Sequence, residues 1–181
     1  ALLILDEIQT GMGRTGKLFA MEHFGIVPDV LLLGKSFGGG LPLAAFIARK
    51  QVMSSLTTDP VLGHISTFGG HPLSCAAALA SLREIAVPEL LDKVSRQGKL
   101  FMSLLKHPDI RSIRGLGLFI ALEFENEKIN QEVIKRCLAK GVITDWFLFA
   151  PNCLRIAPPL IISDDEIKFA CNTILEALNS L

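Results

Sequence analysis

The sequence predicts an α/β fold, with a mainly parallel sheet in its first part and an α+β domain at its C-terminal end. Short apolar runs at residues 2–5 and 30–33 are bounded by Gly, Pro or Asp. Strands covered on both faces of a parallel sheet have that character. Ala- and Leu-rich helical stretches follow them, and beyond Ile110 the pattern changes to alternating apolar residues interleaved with helices.

Residues 2–5 read as the interior of a strand ending at Asp6. A Gly- and Thr-rich loop follows at 9–16, then a short helical stretch at 18–23. Pro28-Asp29 turns the chain into the apolar run 30–33. The glycines at 38–40 and Pro42 break it again before a further strand at 43–48. Residues 72–85 are helical, and Pro88 suits the first position of a second helix reaching about Leu105. Residues 113–124 alternate like one antiparallel strand, 130–140 form a helix ending at Gly141, and 154–157 form a short strand. Ser163-Asp164-Asp165-Glu166 is a capping box opening a last helix to about Leu178. The order β-α-β-α marks a compact second domain. The expected division is 1–86 as the later part of a large domain, 87–108 as a connecting helix and 109–181 as a small C-terminal domain.

Bulk properties exclude several function classes. The 181 residues carry 18 acidic and 18 basic side chains, so there is no charge footprint for nucleic acid or an anionic membrane. Mean hydropathy is high at +0.44, yet no apolar run approaches the roughly 18 residues of a membrane span. Cys75, Cys137, Cys153 and Cys171 are widely spaced, which fits buried thiols in a reducing cytoplasm and argues against zinc or a disulfide framework. The opening Ala1-Leu2-Leu3-Ile4-Leu5 lacks a Met and reads as strand interior, so a preceding portion is expected.

Two motifs invite other readings. Gly11-Met12-Gly13-Arg14-Thr15-Gly16 matches G-x-G-x-x-G. A dinucleotide fingerprint places its first Gly directly after the strand, whereas Asp6 to Thr10 intervene here. Gly34-Lys35-Ser36 resembles the end of a P-loop, but Asp29 stands where that loop requires its upstream glycine. The third reading joins both segments. One strand ends in Asp6-Glu7-Ile8-Gln9 and, one crossover later, another ends in Gly34-Lys35. Groups at the carboxyl ends of strands in an open α/β sheet share one crevice. An acid and a lysine there suit pyridoxal phosphate (PLP) chemistry, in which the amine carries the cofactor and the acid holds the proton on the pyridine nitrogen. The bland alternative is an ordinary ion pair or surface charges.

The segments Leu5-Asp6-Glu7-Ile8-Gln9-Thr10-Gly11 and Gly34-Lys35-Ser36-Phe37-Gly38-Gly39-Gly40-Leu41-Pro42 resemble the aspartate and lysine segments of class-III aminotransferases, the ornithine, acetylornithine and GABA type. Ser66-Thr67-Phe68-Gly69-Gly70-His71-Pro72 and Leu154-Arg155-Ile156-Ala157-Pro158-Pro159-Leu160 match two further family motifs in order. The resemblance implies PLP-dependent transferase fold type I and a homodimer with a shared active site. It implies transfer of an amino group from an amine or ω-amino acid to a 2-oxo acid, with 2-oxoglutarate the expected acceptor. Asp6 would hold the pyridine nitrogen, Gln9 the ring hydroxyl, and Lys35 the cofactor itself. Ser66 and Thr67 would serve the phosphate, Thr67 across the dimer interface, and Arg155 would grip a substrate carboxylate.

Met12, Gly34, Phe37 and His71 depart from the family's commoner Phe, Ala, Leu and Asn, and modify packing more than chemistry. The family's phosphate loop, its ring-stacking aromatic and the glutamate that pairs with the arginine belong upstream of Asp6, so this stretch alone should hold PLP poorly and be inactive. An aminomutase or decarboxylase on the same fold, an NAD-dependent oxidoreductase and a non-catalytic truncated domain are the alternatives. His23, His64 and His107 lack metal-ligand spacing and read as ordinary core or surface residues. Glu7 should face away from Asp6. Trp146 and 147–149 are expected to pack the small domain.

Overall fold

The computed structural model describes all residues, 1–181. The chain forms two compact units, Ala1–Gly13 with Lys17–Pro88, and Arg14–Gly16 with Glu89–Leu181.

The first unit holds a three-stranded sheet of β1 (Ile4–Asp6), β2 (Val30–Leu33) and β3 (Ala45–Ala48), in that order. β1 and β2 are parallel, with Ile4 opposite Val30 and Asp6 opposite Leu32. The central strand is Val-Leu-Leu-Leu, and Val30 and Leu33 are buried, as a strand flanked on both sides requires. β3 forms the other edge of this sheet. It runs antiparallel to β2, pairing Val30 with Ala48 and Leu33 with Ala45. Residues 34–44 are too few for the crossover that a parallel return needs, so the chain doubles back.

A 3-10 turn, Lys35–Gly38, follows β2 and is closed by Gly39 at φ 60°. Helix α1 (Lys50–Ser54) follows β3. Helix α2 (Pro72–Ile85) has Pro in its first turn, where the missing N–H is no loss. α2 lies against the 3-10 turn so closely that a Cβ on Gly39 would sit 2.4 Å from the Ala77 carbonyl oxygen. Left-handed backbone and lack of space both require glycine there.

In the second unit, α3 (Pro88–Leu104), α4 (Glu127–Ala139) and α5 (Asp164–Asn179) accompany four antiparallel strands. These are β4 (Ser112–Leu116), β5 (Phe119–Glu123), β6 (Asp145–Phe147) and β7 (Ala150–Ile156), ordered β4-β5-β7-β6. The alternating stretch 113–124 is therefore a hairpin and not one strand. Gly117, at φ 53°, makes the turn, and the alternation runs through it because Leu118 is also buried. A Cβ on Gly117 would lie 2.5 Å from the Thr15 backbone. β6 has no counterpart among the expected elements, and the order becomes β-β-α-β-β-α.

Ile120, Leu122, Leu154, Phe101, Val133 and Ile167 form the centre of this unit's core, all essentially inaccessible. The expected capping box is present. The Glu166 backbone N–H donates to Ser163 Oγ at 3.2 Å, and the Ser163 N–H donates to Glu166 Oε2 at 2.7 Å. Asn126 caps α4 similarly, its Oδ1 accepting from the Ile129 N–H at 3.1 Å. The expectation that Trp146 and 147–149 are core fails. Phe147 alone packs, edge-on to Phe119 at 5.5 Å between centroids. Trp146, Leu148 and Phe149 are exposed, Phe149 by 97%.

No group of three or more His, Cys, Asp or Glu is placed to hold a metal ion. No helix is long and apolar enough to cross a membrane. Cys75 is exposed and the other three cysteines are buried.

Two outcomes follow from this packing. Phe101→Ala should lower unfolding free energy by about 3–5 kcal/mol, against about 1 kcal/mol for loss of the cap in Ser163→Ala. Urea denaturation of the two variants checks the ratio. Burial pushes the Cys171 thiol up to about 12 and the Cys137 thiol up to about 11. Unfolded thiols ionise near pH 8.5. The folded-state contribution from these two thiols is thus complete below that pH and declines as pH rises towards 11–12. Thiol labelling at pH 8 should leave Cys137 and Cys171 unmodified until denaturant is added.

Candidate active site

Asp6 ends β1, and its exposed carboxylate accepts the Ile8 N–H through Oδ1 at 2.9 Å. This local turn fixes the side chain at the strand's carboxyl edge. Glu7 points the other way, as expected, and is 4% exposed. Its role was not legible beforehand. The carboxylate accepts the N–H groups of Ala20 and Met21 at 2.7 and 2.8 Å and the Thr10 hydroxyl at 3.1 Å. A buried anion thus caps the 3-10 helix Ala20–His23, where the unpaired N–H groups of a helix start gather. Ser or Asp at a cap is a sequence signal, whereas a Glu reaching back from a strand 13 residues away leaves none.

Lys35 begins the turn after β2 and is exposed, with φ 50°. A non-glycine residue in left-handed backbone is uncommon and costs of order 1–3 kcal/mol, a strain that clusters at functional sites. Asp6 faces Leu32 in the register, so Lys35 lies just beyond the same edge on the neighbouring strand. Parallel strands lie about 4.8 Å apart. Gln9 follows Asp6 on the exposed side of the loop. The first unit therefore brings Asp6 and Lys35 to one edge, with Gln9 exposed in the turn that follows Asp6. Ser66 and Thr67 stand on a separate exposed turn closed by the Gly69 N–H donating to the Ser66 carbonyl at 3.1 Å.

Neither competing motif has its required geometry. No helix starts at Gly16, so the G-x-G-x-x-G segment lacks the N-terminus that would face a pyrophosphate. Gly34-Lys35-Ser36 opens a four-residue 3-10 turn, not the long helix of a P-loop.

Arg14 and Arg155 belong to the second unit. Arg14 donates through Nη1 to the carbonyls of Leu118 and Pro158 at 3.2 and 2.5 Å, and Leu118 N–H returns a bond to the Arg14 carbonyl at 3.0 Å. Burial lowers its pKa without making it neutral at ordinary pH. Its role is structural, holding the β4–β5 turn and Pro158, two residues beyond β7.

Arg155 lies on β7 directly opposite Asp145 of β6. Its Nε donates to Asp145 Oδ1 at 2.7 Å and its Nη2 donates to Oδ2. The Phe147 ring lies 6.0 Å from the guanidinium carbon. The Thr144 hydroxyl donates to the Arg155 carbonyl at 2.7 Å. Asp145 and Arg155 line a cleft of about 470 Å³ whose other walls include Phe101, Val142, Ile162 and Phe169. Asp145 escaped the sequence reading, because β6 is only three residues long and its pairing is set by a hairpin register.

An accessible amine and a carboxylate at adjacent parallel strand ends suit PLP, which needs one group to bind its carbonyl and another to hold its ring nitrogen. The aminotransferase class-III family model matches residues 1–178. An acetylornithine aminotransferase of Caldanaerobacter subterraneus is 40% identical over 99% of this chain and 45% of its own length. A putrescine aminotransferase of Pectobacterium atrosepticum is 42% identical over 92% of this chain and 37% of its own. The ornithine aminotransferase of Toxoplasma gondii superposes with a TM-score of 0.88 at 38% identity, over 99% of this chain and 44% of that one. A Bacillus anthracis aminotransferase gives 0.90 at 31%, over 100% and 45%. The chain thus spans under half the length of these relatives, and its architecture is that of PLP-dependent transferase fold type I. It belongs to the class-III aminotransferase family.

Proposed function

We propose that this chain is part of a PLP-dependent transaminase that moves an amino group from an amine or ω-amino acid to a 2-oxo acid, with 2-oxoglutarate the expected acceptor. The observation that supports this reading is the position of Asp6 and Lys35 at the ends of adjacent parallel strands, with Lys35 held in left-handed backbone. When bound, PLP supplies an electron sink that lets the substrate's α-carbon release a proton.

The chain's own residues divide the remaining work. Asp6 would keep a proton on the ring nitrogen, and Gln9 would hydrogen-bond the ring hydroxyl. Lys35 would hold the cofactor covalently. Once a substrate amine has displaced it, Lys35 Nζ would take the proton from the substrate's α-carbon and return it to the neighbouring cofactor carbon. One amine could serve both transfers, since the proton would leave and return through the same Nζ. Arg155 would bind a substrate carboxylate in a fork.

The assembly proposed is a cytoplasmic homodimer in which Ser66 and Thr67 serve the phosphate, Thr67 that of the neighbouring subunit. Phe68, 79% exposed next to Thr67, suits a turn covered by a second chain. Residues 1–86 would be the later part of the cofactor domain, 87–108 a connecting helix and 109–181 the small domain. Aminomutase and decarboxylase readings gain no support from relatives that are named as aminotransferases.

Two outcomes test these assignments in the complete protein. Borohydride reduction followed by peptide mapping should find the pyridoxyl group on Lys35, and its appearance on any other lysine ends the assignment. Arg155→Ala should weaken a carboxylate substrate by about 2 kcal/mol, a roughly thirtyfold rise in KM. An unaltered KM for every carboxylate substrate removes Arg155 from that role.

A further inference from the structure

We propose that Arg14 is a positioning residue for carboxylate recognition: it clamps the backbone arm that leads from Arg155 to Pro158, and so fixes where the Arg155 fork can reach. This rests on the transaminase reading of the site.

The arm has few ways to hold itself. Directly after β7 the chain reads Ala157-Pro158-Pro159-Leu160. Neither proline has an N–H, so the stretch can offer almost no donors to a sheet neighbour or a turn. The proline carbonyls remain as anchors, and both are used. The Pro159 carbonyl accepts the Ile162 N–H at 3.1 Å, and the Pro158 carbonyl accepts Arg14 Nη1 at 2.5 Å. The same Nη1 donates to the Leu118 carbonyl at 3.2 Å, in the turn between β4 and β5. One guanidinium nitrogen therefore ties the arm to a hairpin whose register with β7 is already fixed, Ala121 lying opposite Arg155.

Rigidity carries this restraint back to Arg155. Ile156 and Ala157 are all that separate it from Pro158. Each proline locks its own φ and steers the residue before it to extended backbone, so a shift at Pro158 is passed along the arm and not absorbed. Arg155, Ala157, Pro158 and Pro159 line the same cleft. A two-point grip on a carboxylate tolerates displacement of only about 0.5 Å. The clamp is itself braced. The Leu118 N–H donates to the Arg14 carbonyl at 3.0 Å, and the Ser95 hydroxyl of α3 donates to the Gly16 carbonyl at 3.4 Å. A Cβ on Gly16 would lie 2.1 Å from Ser95 Oγ, so the segment 14–16 fits against α3 without slack. Arg14 thus acts on substrate through Arg155, with no contact of its own.

The test uses the complete protein with its cofactor bound. Glutarate serves as an unreactive dicarboxylate probe, and methoxyamine as a carboxylate-free reagent for the cofactor carbonyl. Arg14→Ala should weaken glutarate about three- to tenfold, the scale of one hydrogen bond. The KM for 2-oxoglutarate should rise by a similar factor with kcat little altered, and the rate of reaction with methoxyamine should stay at the wild-type value. Arg14→Lys, which keeps the charge on a shorter side chain, should remain well short of wild type in glutarate binding. In an Arg155→Ala background, Arg14→Ala should weaken glutarate no further, because the fork it positions is gone.

Wild-type glutarate binding in a folded Arg14→Ala protein overturns the proposal. Full recovery in Arg14→Lys also overturns it, since charge alone would then suffice. An equal loss with and without Arg155, or a matching slowing of the methoxyamine reaction, overturns it too, showing general support of the fold instead. Should Arg14→Ala fail to fold, Arg14→Lys carries the test: weakened glutarate with an unaltered methoxyamine rate upholds the proposal, and wild-type binding ends it. If the wild-type protein transfers no amino group to any 2-oxo acid, the transaminase reading fails and this proposal falls with it. If the wild type is active and only the Arg14 variants behave otherwise than stated, the reading stands and this proposal alone fails.

Discussion

The first unit depends on the register in which β1 meets β2. Because the strands are parallel, with Asp6 opposite Leu32, both chains leave the sheet at the same edge. A slip of one residue would exchange the faces of Asp6 and Glu7, placing the wrong carboxylate on the open side. Two carboxylates resist that slip. Asp29 Oδ2 accepts the Leu3 N–H at 2.9 Å at one end of the pair. Glu7 is buried at the other end, where its own N–H donates to the Leu32 carbonyl at 3.0 Å while its side chain gathers three donors. Removing those partners would strand a dry charge, an error far costlier than the loss of one surface bond. Asp6 is therefore left exposed because its neighbour is committed.

The lysine turn is supported from the opposite side. Lys35 has an unfavourable backbone conformation, which persists only where its surroundings leave no alternative. β2 holds the residue before the turn, and the approach of α2 to Gly39 holds the residue after it. Ser81 of α2 adds a long bond from its hydroxyl to the Ser36 carbonyl, at 3.4 Å. The turn thus belongs to the packing of α2 as much as to the sheet, although the Lys35 side chain itself stays open to solvent.

Legibility in the sequence followed the range of the interaction that fixes each element. β2, α2 and α3 were readable because apolar runs, Ala-rich periodicity and helix-start prolines are local signals. Ser163 and Glu166 were readable for the same reason. The β4–β5 hairpin was merged into one strand, since alternation continues across a turn whose only mark is Gly117. The aromatic run after Asp145 looked like core but is largely exposed, because hydrophobicity alone does not say which face a short edge strand presents. Asp6 and Lys35 could be proposed from strand ends and family resemblance. The anchoring by Glu7 and the pairing of Asp145 with Arg155 could not, because each depends on contacts set by tertiary register.

The relatives that share this architecture are named for different amine donors, among them acetylornithine, putrescine and ornithine. Architecture shared among such proteins therefore cannot by itself select the donor. Selection needs groups that can change charge without disturbing the core. β6 meets that requirement, since it is the last strand of its sheet, three residues long and paired on one side only. Substitutions at a half-exposed edge position cost little stability, whereas those in β5 or β7 strike residues such as Ile120 and Leu154. The Asp145 position on β6 therefore tolerates substitution better than the buried strand positions beside it.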